Sequence, residues 1–267
     1  MIFMLTFVRH GITEYNAQGL YQGQVDIPLN DLGFRQADLL GSYLENIKFD
    51  KIYSSDLSRC KQTVDVVVKK NKCSPPEVVL DKRLREQSYG IFEGKSFEDC
   101  WRSGDGRIPG GETDEQVIAR TDSFLKQLCK DMTAIESCQK EGAKEGTSPE
   151  ALPHEEDTHK LGKDKSETGP EAKDGHIRSF KELGYPEEFC YPHVLLSSHG
   201  MLLRLLIRLL KMKYKLKIRK GLSMRYKSPN TGLTGFMVEI ADGKLVNVEC
   251  EFLFCDDHLD GLEEDDD

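Results

Sequence analysis

Apolar and polar positions recur along this chain with two distinct periods, and each period predicts a different element. Residues Phe3 through Val8 form an apolar run broken only by Thr6, the pattern of a strand covered on both faces. Pro28-Leu29 then stops the chain, and Asn30 is a suitable N-cap for a helix from Asp31 to about Asn46. Leu32, Ala37, Leu40 and Leu44 sit near helical spacing on that segment. Lys51-Ile52-Tyr53 predicts a short second strand, with Ser55 as cap of a helix carrying Arg59, Thr63 and Val66 to Val68. A third helix is expected after Pro109-Gly110-Gly111, because Val117, Thr121, Phe124, Leu128 and Met132 recur about one turn apart. Periodicity returns in a strand from His193 to Ser197 and a helix from about Met201 to Met212. Gly235 to Ile240, an Asp242-Gly243 turn and Leu245 to Cys255 predict an antiparallel hairpin.

From about Ala134 to Lys181 no apolar period survives. Glu, Lys, Gly, Ser and Pro dominate, so burial there cannot offset the entropy of ordering, and 134–181 is expected to be a flexible polar insertion. Residues 258–267 read as an acidic C-terminal tail, and 1–267 as a single domain around these features. Strands alternating with helices, closed by a hairpin, predict the α/β class. The expected architecture is a three-layer α/β/α sandwich on a mostly parallel central sheet.

Charge and cysteine content narrow the partners. The chain has 267 residues, with 46 acidic against 37 basic side chains and a formal net charge of −9. Long-range repulsion then disfavours nucleic acid and anionic lipid, whereas a small anion can still be held by a local cluster of cations. The eight cysteines are scattered without zinc spacing, which predicts reduced thiols in a cytoplasmic protein and no metal site. His154, His159 and His176 fall in the polar insertion and make no metal site either. The apolar N-terminus lacks the basic region of a signal peptide. Met201 to Leu210 is broken by Arg204 and Arg208, too short and too charged for stable membrane insertion. The basic run Lys211 to Lys220 reads as an exposed helix end and loop.

The candidate chemistry lies where the strands end. The first strand runs into Arg9-His10-Gly11, the second into Ser54-Ser55 with Arg59 one turn later, and the third into Ser198-His199-Gly200. Ligands bind beyond the carboxyl ends of parallel strands, so these segments deliver two Arg and two His to one rim. Guanidinium forks match phosphate oxygens, and neighbouring cations favour the neutral imidazole of His10, whose lone pair can attack phosphorus. A protonated His199 would add a third positive group where charge builds during transfer. Backbone amides near Gly11 and Gly200 are further anion donors. Glu86, in Leu84-Arg85-Glu86-Gln87-Ser88-Tyr89-Gly90, is the candidate proton donor to the leaving oxygen. Lys95, Arg102 and Arg107 are candidates for holding a second phosphate.

These blocks resemble a known family. Phe7-Val8-Arg9-His10-Gly11-Ile12-Thr13, Pro28 to Gly33, Ser54 to Arg59, Glu86 to Gly90 with Glu93-Gly94-Lys95, Pro109 to Thr113 and Ser198-His199-Gly200 follow, in order, motifs of the histidine phosphatase superfamily. Within that superfamily the phosphoglycerate-mutase-like, fructose-2,6-bisphosphatase-like enzymes are the most similar. Asp56 to Thr63, Arg83 to Glu86, Pro229-Asn230-Thr231-Gly232 and Asp257 to Leu262 fit that branch. The resemblance implies metal-independent hydrolysis, without cofactor, of a small sugar or glycerate bisphosphate, which lowers glycolytic flux. Fructose 2,6-bisphosphate and 2,3-bisphosphoglycerate are the implied compounds. His10 would accept the phosphoryl group and Glu86 would donate the proton, with Arg9, Arg59 and His199 forming the phosphate pocket. Asn16, Gln22 and Gly23 would stand at its edge, with Tyr89, Lys95 and Gly200 as further binding residues. A mutase that returns the phosphate to a second hydroxyl shares the first half-reaction, and a non-catalytic sensor of a phosphorylated ligand is the third reading. Oligomeric state stays open.

Overall fold

A computed structural model of the protein describes residues 1–98, 108–145, 191–219, 222 and 228–262, with backbone alone over 136–145. Arg102, Arg107, the polar segment beyond Glu145 and the tail from Glu263 lie outside the described residues.

Seven strands form one sheet. They are β1 (Ile2–Arg9), β2 (Lys51–Ser54), β3 (Val78–Leu80), β4 (His193–Ser198), β5 (Lys217–Ile218), β6 (Leu233–Ala241) and β7 (Lys244–Cys255). Their order across the sheet is β3-β2-β4-β1-β6-β7-β5. β3, β2, β4 and β1 run parallel, and β6 and β7 add the antiparallel hairpin. Asp242 and Gly243 both take positive φ at its tip, the geometry of a two-residue turn whose twist suits the strands.

The helices are α1 (Glu14–Ala17), α2 (Asp31–Tyr43), α3 (Ser58–Lys70), α4 (Asp114–Glu145) and α5 (Gly200–Tyr214). Alternate side chains of the central strands show the layering. Phe3, Leu5 and Phe7 of β1 with Val194 and Leu196 of β4 pack against Phe124, Leu128 and Met132 of α4 and Leu203 and Leu206 of α5. Val8, Leu195 and Ile52 point the other way, onto Leu40 of α2 and Val64 and Val67 of α3. The sheet is therefore sandwiched, and each large side chain so buried contributes about 1.5–3 kcal/mol.

Local signals behave as their chemistry dictates, with two exceptions. Asn30 caps α2, its Oδ1 accepting from Gly33 N at 2.9 Å. The α4 stripe from Val117 to Met132 is buried throughout. Ser55, expected as a helix cap, is not one: α3 begins at Ser58, where Asp26 accepts from Ser58 N at 2.6 Å and from its hydroxyl at 2.9 Å. A carboxylate from a distant loop thus takes the place of a local hydroxyl. The second exception is α4, which runs on to Glu145, so the first residues of the polar segment are helical.

The parallel register aligns the strand ends. Arg9 lies opposite Ser198, and Ser54 opposite Ser197. Beyond the last pairs, His10 N donates to Ser198 O at 3.0 Å and Ser55 N to Ser197 O at 3.0 Å. His10, Ser55 and His199 consequently leave the sheet side by side.

Candidate active site

A cavity of about 590 Å³ opens at these strand ends, within the range of small-molecule sites. Arg9, His10, Asn16, Gln22, Gly23, Arg59, Glu86, Tyr89 and Gly200 all line it. Of the residues expected there, His199 lies beneath the floor, and Lys95 is exposed on its loop and does not line the cavity.

His10 is fixed in one tautomer. Its Nδ1 lies 2.7 Å from the Gly11 carbonyl, which can only accept, so Nδ1 carries the proton and Nε2 keeps its lone pair. Burial, then the guanidiniums of Arg59 and Arg9, hold the imidazole well below its ordinary value of 6.5, so the ring is neutral near pH 7. A buried neutral imidazole with a defined lone pair is a competent nucleophile.

His199 contacts the His10 ring edge-on, with centroids 5.2 Å apart. Arg59 Nε donates to its Nδ1 at 3.3 Å, which leaves the proton on Nε2, 3.0 Å from Ser55 Oγ. Burial and Arg59 hold it well below the ordinary histidine value. The sequence raised a third cation here only on the condition that His199 is protonated; fully buried and facing a guanidinium, the ring is neutral. Cys60 Sγ lies 3.4 Å from Nε2, and burial pushes that thiol up to about 12, so it stays protonated.

The two floor arginines divide their donors between protein and cavity. Arg59 has five N–H groups and places three, on His199 Nδ1, Val25 O at 2.9 Å and Gly23 O at 2.8 Å. Arg9 Nη1 donates to Ser228 O at 2.6 Å, and its buried Nε finds no partner in the protein. Gln22 Oε1 is likewise buried without a partner.

Glu86 sits where the acid loop meets helix α5. Its carboxylate accepts from Met201 N at 3.1 Å, Leu202 N at 3.0 Å and Gln87 N at 3.0 Å. Arg120 of α4 holds the same loop from behind, donating to the carbonyls of Arg83, Arg85 and Glu86 and pairing with Glu112 at 2.9 Å. Gly23 takes φ +53°, and a Cβ there would meet Glu93 Oε1 at 2.1 Å, so only glycine fits between Arg59 and the Glu93 loop. Asn16 Oδ1 closes the α1 capping box with Thr13.

Sequence reasoning missed the outer wall. Tyr21 packs on Tyr89 at 4.7 Å and edge-on to Phe97 at 4.6 Å. Arg204, on the turn of α5 after Gly200, is exposed at the cavity mouth. Its signal was present as one of two arginines that break the apolar run Met201 to Leu210, the one nearer His199. No group of acidic, His and Cys side chains able to hold a metal ion occurs among the described residues. No helix among them is long and apolar enough to cross a membrane.

Comparison with known proteins bears on the family and the fold. The family model "Histidine phosphatase superfamily (branch 1)" matches residues 5–135. "Fructose-2,6-bisphosphatase TIGAR" of Xenopus tropicalis is 34% identical over 280 residues, covering 98% of this chain and 97% of the relative. Among solved structures, the mycobacterial glucosyl-3-phosphoglycerate phosphatase superposes with a TM-score of 0.63 at 20% identity, covering 96% of this chain and 100% of that one. The phosphoglycerate mutase from Bacillus anthracis superposes with a TM-score of 0.60 at 21% identity, covering 97% and 96%. The sandwich described above is thus the phosphoglycerate-mutase-like fold.

Proposed function

The chain belongs to the histidine phosphatase superfamily, and on that premise we propose that it hydrolyses a small sugar or glycerate bisphosphate through a phosphohistidine at His10. The observation that carries the reading is the His10 Nε2 lone pair set beside Arg9, Arg59 and Glu86 in one cavity. The guanidinium forks suit phosphoryl oxygens.

In the first half-reaction His10 Nε2 bonds to phosphorus and the ester P–O bond breaks. The electron pair of that bond leaves with the alkoxide oxygen, which takes its proton from the Glu86 carboxyl. Arg9 and the two remaining N–H groups of Arg59 face the charge that spreads over the equatorial oxygens. In the second half, water loses a proton to the Glu86 carboxylate and attacks phosphorus, the P–N bond breaks, and phosphate departs with His10 neutral again.

Two phosphates fit this cavity better than one. The floor holds a single phosphoryl group, while Arg204 offers a separate cation at the mouth. The name of the Xenopus relative makes fructose 2,6-bisphosphate the first compound to test, with 2,3-bisphosphoglycerate beside it; hydrolysis of the former would lower glycolytic flux. The test is phosphate release from both by the native protein and by His10→Ala. The substitution should cost at least about 10³-fold in kcat. Full turnover by H10A would refute the mechanism, and a trapped phosphohistidine that resists water until a second hydroxyl arrives would turn the reading to a mutase.

A further inference from the structure

Two sequence motifs have no part in the chemistry above: Pro229-Asn230-Thr231-Gly232 and Asp257-His258-Leu259. They are distant in the chain and touch in the fold. His258 is buried, with Nε2 2.9 Å from Thr231 Oγ1. The Thr231 hydroxyl itself donates to Asn230 O at 2.7 Å, so its lone pair is what His258 meets, and the imidazole donates from Nε2–H.

Thr231 is held where a threonine resists being held. Its φ is +56°, the left-handed region that a β-branched side chain disfavours, and it is fully buried there. One of its hydroxyl bonds, to Asn230 O, is local to the turn and the other comes from His258 across the fold, and both oppose its relaxation. From this turn two donors reach the nucleophile's own carbonyl: Asn230 Nδ2 at 3.0 Å and Thr231 N at 3.3 Å from His10 O. The other edge of the same peptide is also pinned, with Gly11 N donating to Thr63 Oγ1 at 3.0 Å. Gly11 O, the acceptor that fixes the His10 ring, lies on the next peptide, joined to the clamped one at Gly11 Cα, so the clamp bears on where Nε2 points through that shared carbon. Asn230 Nδ2 further touches Asn16 Oδ1 at 3.3 Å, on the cavity wall.

We propose that His258 is a positioning residue: through Thr231 it locks the turn that clamps the His10–Gly11 peptide, and so aims the His10 imidazole into the cavity. The segment after β7 thereby becomes a latch on the active site. The proposal rests on the reading of His10 as nucleophile, and the test keeps the two separable.

Thr231→Gly is the cleanest probe. Glycine takes positive φ without cost, so the turn can still form, but the hydroxyl link that locks it is lost. His258→Leu removes the donor, and His258→Gln restores an N–H of similar reach. T231G and H258L should each lower kcat about 10-fold at little changed KM, with H258Q recovering most of the H258L loss. The 15N resonances of the His10 ring should shift from one tautomer toward a mixture in T231G and H258L, and return in H258Q. Native kcat and unmoved His10 resonances in T231G would overturn the latch, as would equal losses in H258Q and H258L. Should the native protein release no phosphate from either bisphosphate, the functional reading fails, while the His10 resonances still decide whether the latch exists.

Discussion

At the floor of the cavity Arg9, His10 and Arg59 with His199 beneath are at most 7% exposed, and each is tied by hydrogen bonds to another segment of chain. At the rim Phe97 is 40% exposed, Arg204 projects from the outer face of α5, and the contacts are between aromatic rings on loops. The floor is overdetermined by the sheet: three parallel strands end in register, and a shift of one residue would separate His10 from His199. The rim is held by bonds among its own segments, Tyr21 N to Lys95 O, Gly94 N to Tyr21 O and Phe97 N to Gly19 O, none of them to the sheet, so its positions can change without disturbing the sheet. A fold of this kind keeps one phosphoryl chemistry in its floor and varies the rest of the substrate at its rim.

The largest break in that contrast is expected at Arg59, which joins the two regions by donating to His199, Gly23 and Val25. Arg59→Lys preserves the charge, but a single ammonium cannot span three acceptors and still face a phosphate. Turnover (kcat/KM) should fall about 10²- to 10³-fold, read in a phosphate-release assay. A loss under tenfold would mean that charge alone, rather than the fork, organises the floor.

Acid should weaken the fold next. Burial lowers His193 to about 3 and His258 to about 4, and holds His10 and His199 well below 6.5. Each is neutral when folded and protonates near 6.5 when unfolded, so the unfolded chain binds more protons below that value. Stability is full above pH 6.5 and declines as pH falls toward 4, by about 1.4 kcal/mol per pH unit for each histidine. Urea midpoints at pH 7 and pH 5 test this. A flat profile would show that the imidazoles stay hydrated and the floor is less closed than drawn.

At the rim the effects should be selective. Arg204 makes no ion pair among the described residues, whereas Arg208, one turn on, pairs with Asp114 at 2.9 Å. Arg204→Gln should raise KM for a bisphosphate about 10-fold, the scale of one exposed charge contact, and leave a monophosphate ester unchanged. Equal effects on both substrates would place Arg204 in the floor's chemistry instead.

Much of the floor was legible in the sequence because its signals are short and local: an apolar strand that ends in Arg-His, a second in Ser-His, an arginine one turn into a helix. What escaped depends on partners that only folding assembles. Ser55 looked like a helix cap until Asp26 took that place and His199 took the hydroxyl. The charge state of His199 was not legible, because its burial and its bond from Arg59 come from segments far apart in the chain. Arg120 gave no signal in the sequence, yet it holds the carbonyls of Arg83, Arg85 and Glu86. The strands β3 and β5 span three and two residues, too short for any period to appear.

Lys95 gives the smallest and sharpest contrast. By sequence it was a natural ligand for a second phosphate, a cation in a loop near the acid motif. In the fold its backbone carbonyl accepts from Tyr21 N at 2.9 Å, while its side chain stands exposed outside the cavity. An exposed cation off the cavity wall acts on substrate only through the diffuse field, which salt screens within about 8 Å at physiological strength. Lys95→Ala keeps the backbone bond to Tyr21 and should change kcat/KM for a bisphosphate less than about twofold, with that difference vanishing on added salt. Arg204→Gln, assayed beside it, should retain most of its effect in the same salt, because its charge stands at the mouth where the ligand excludes water. A Lys95→Ala loss as large as that of Arg204→Gln would move the second phosphate to the other side of the mouth, and would mean that the loop carrying Lys95 closes over the substrate.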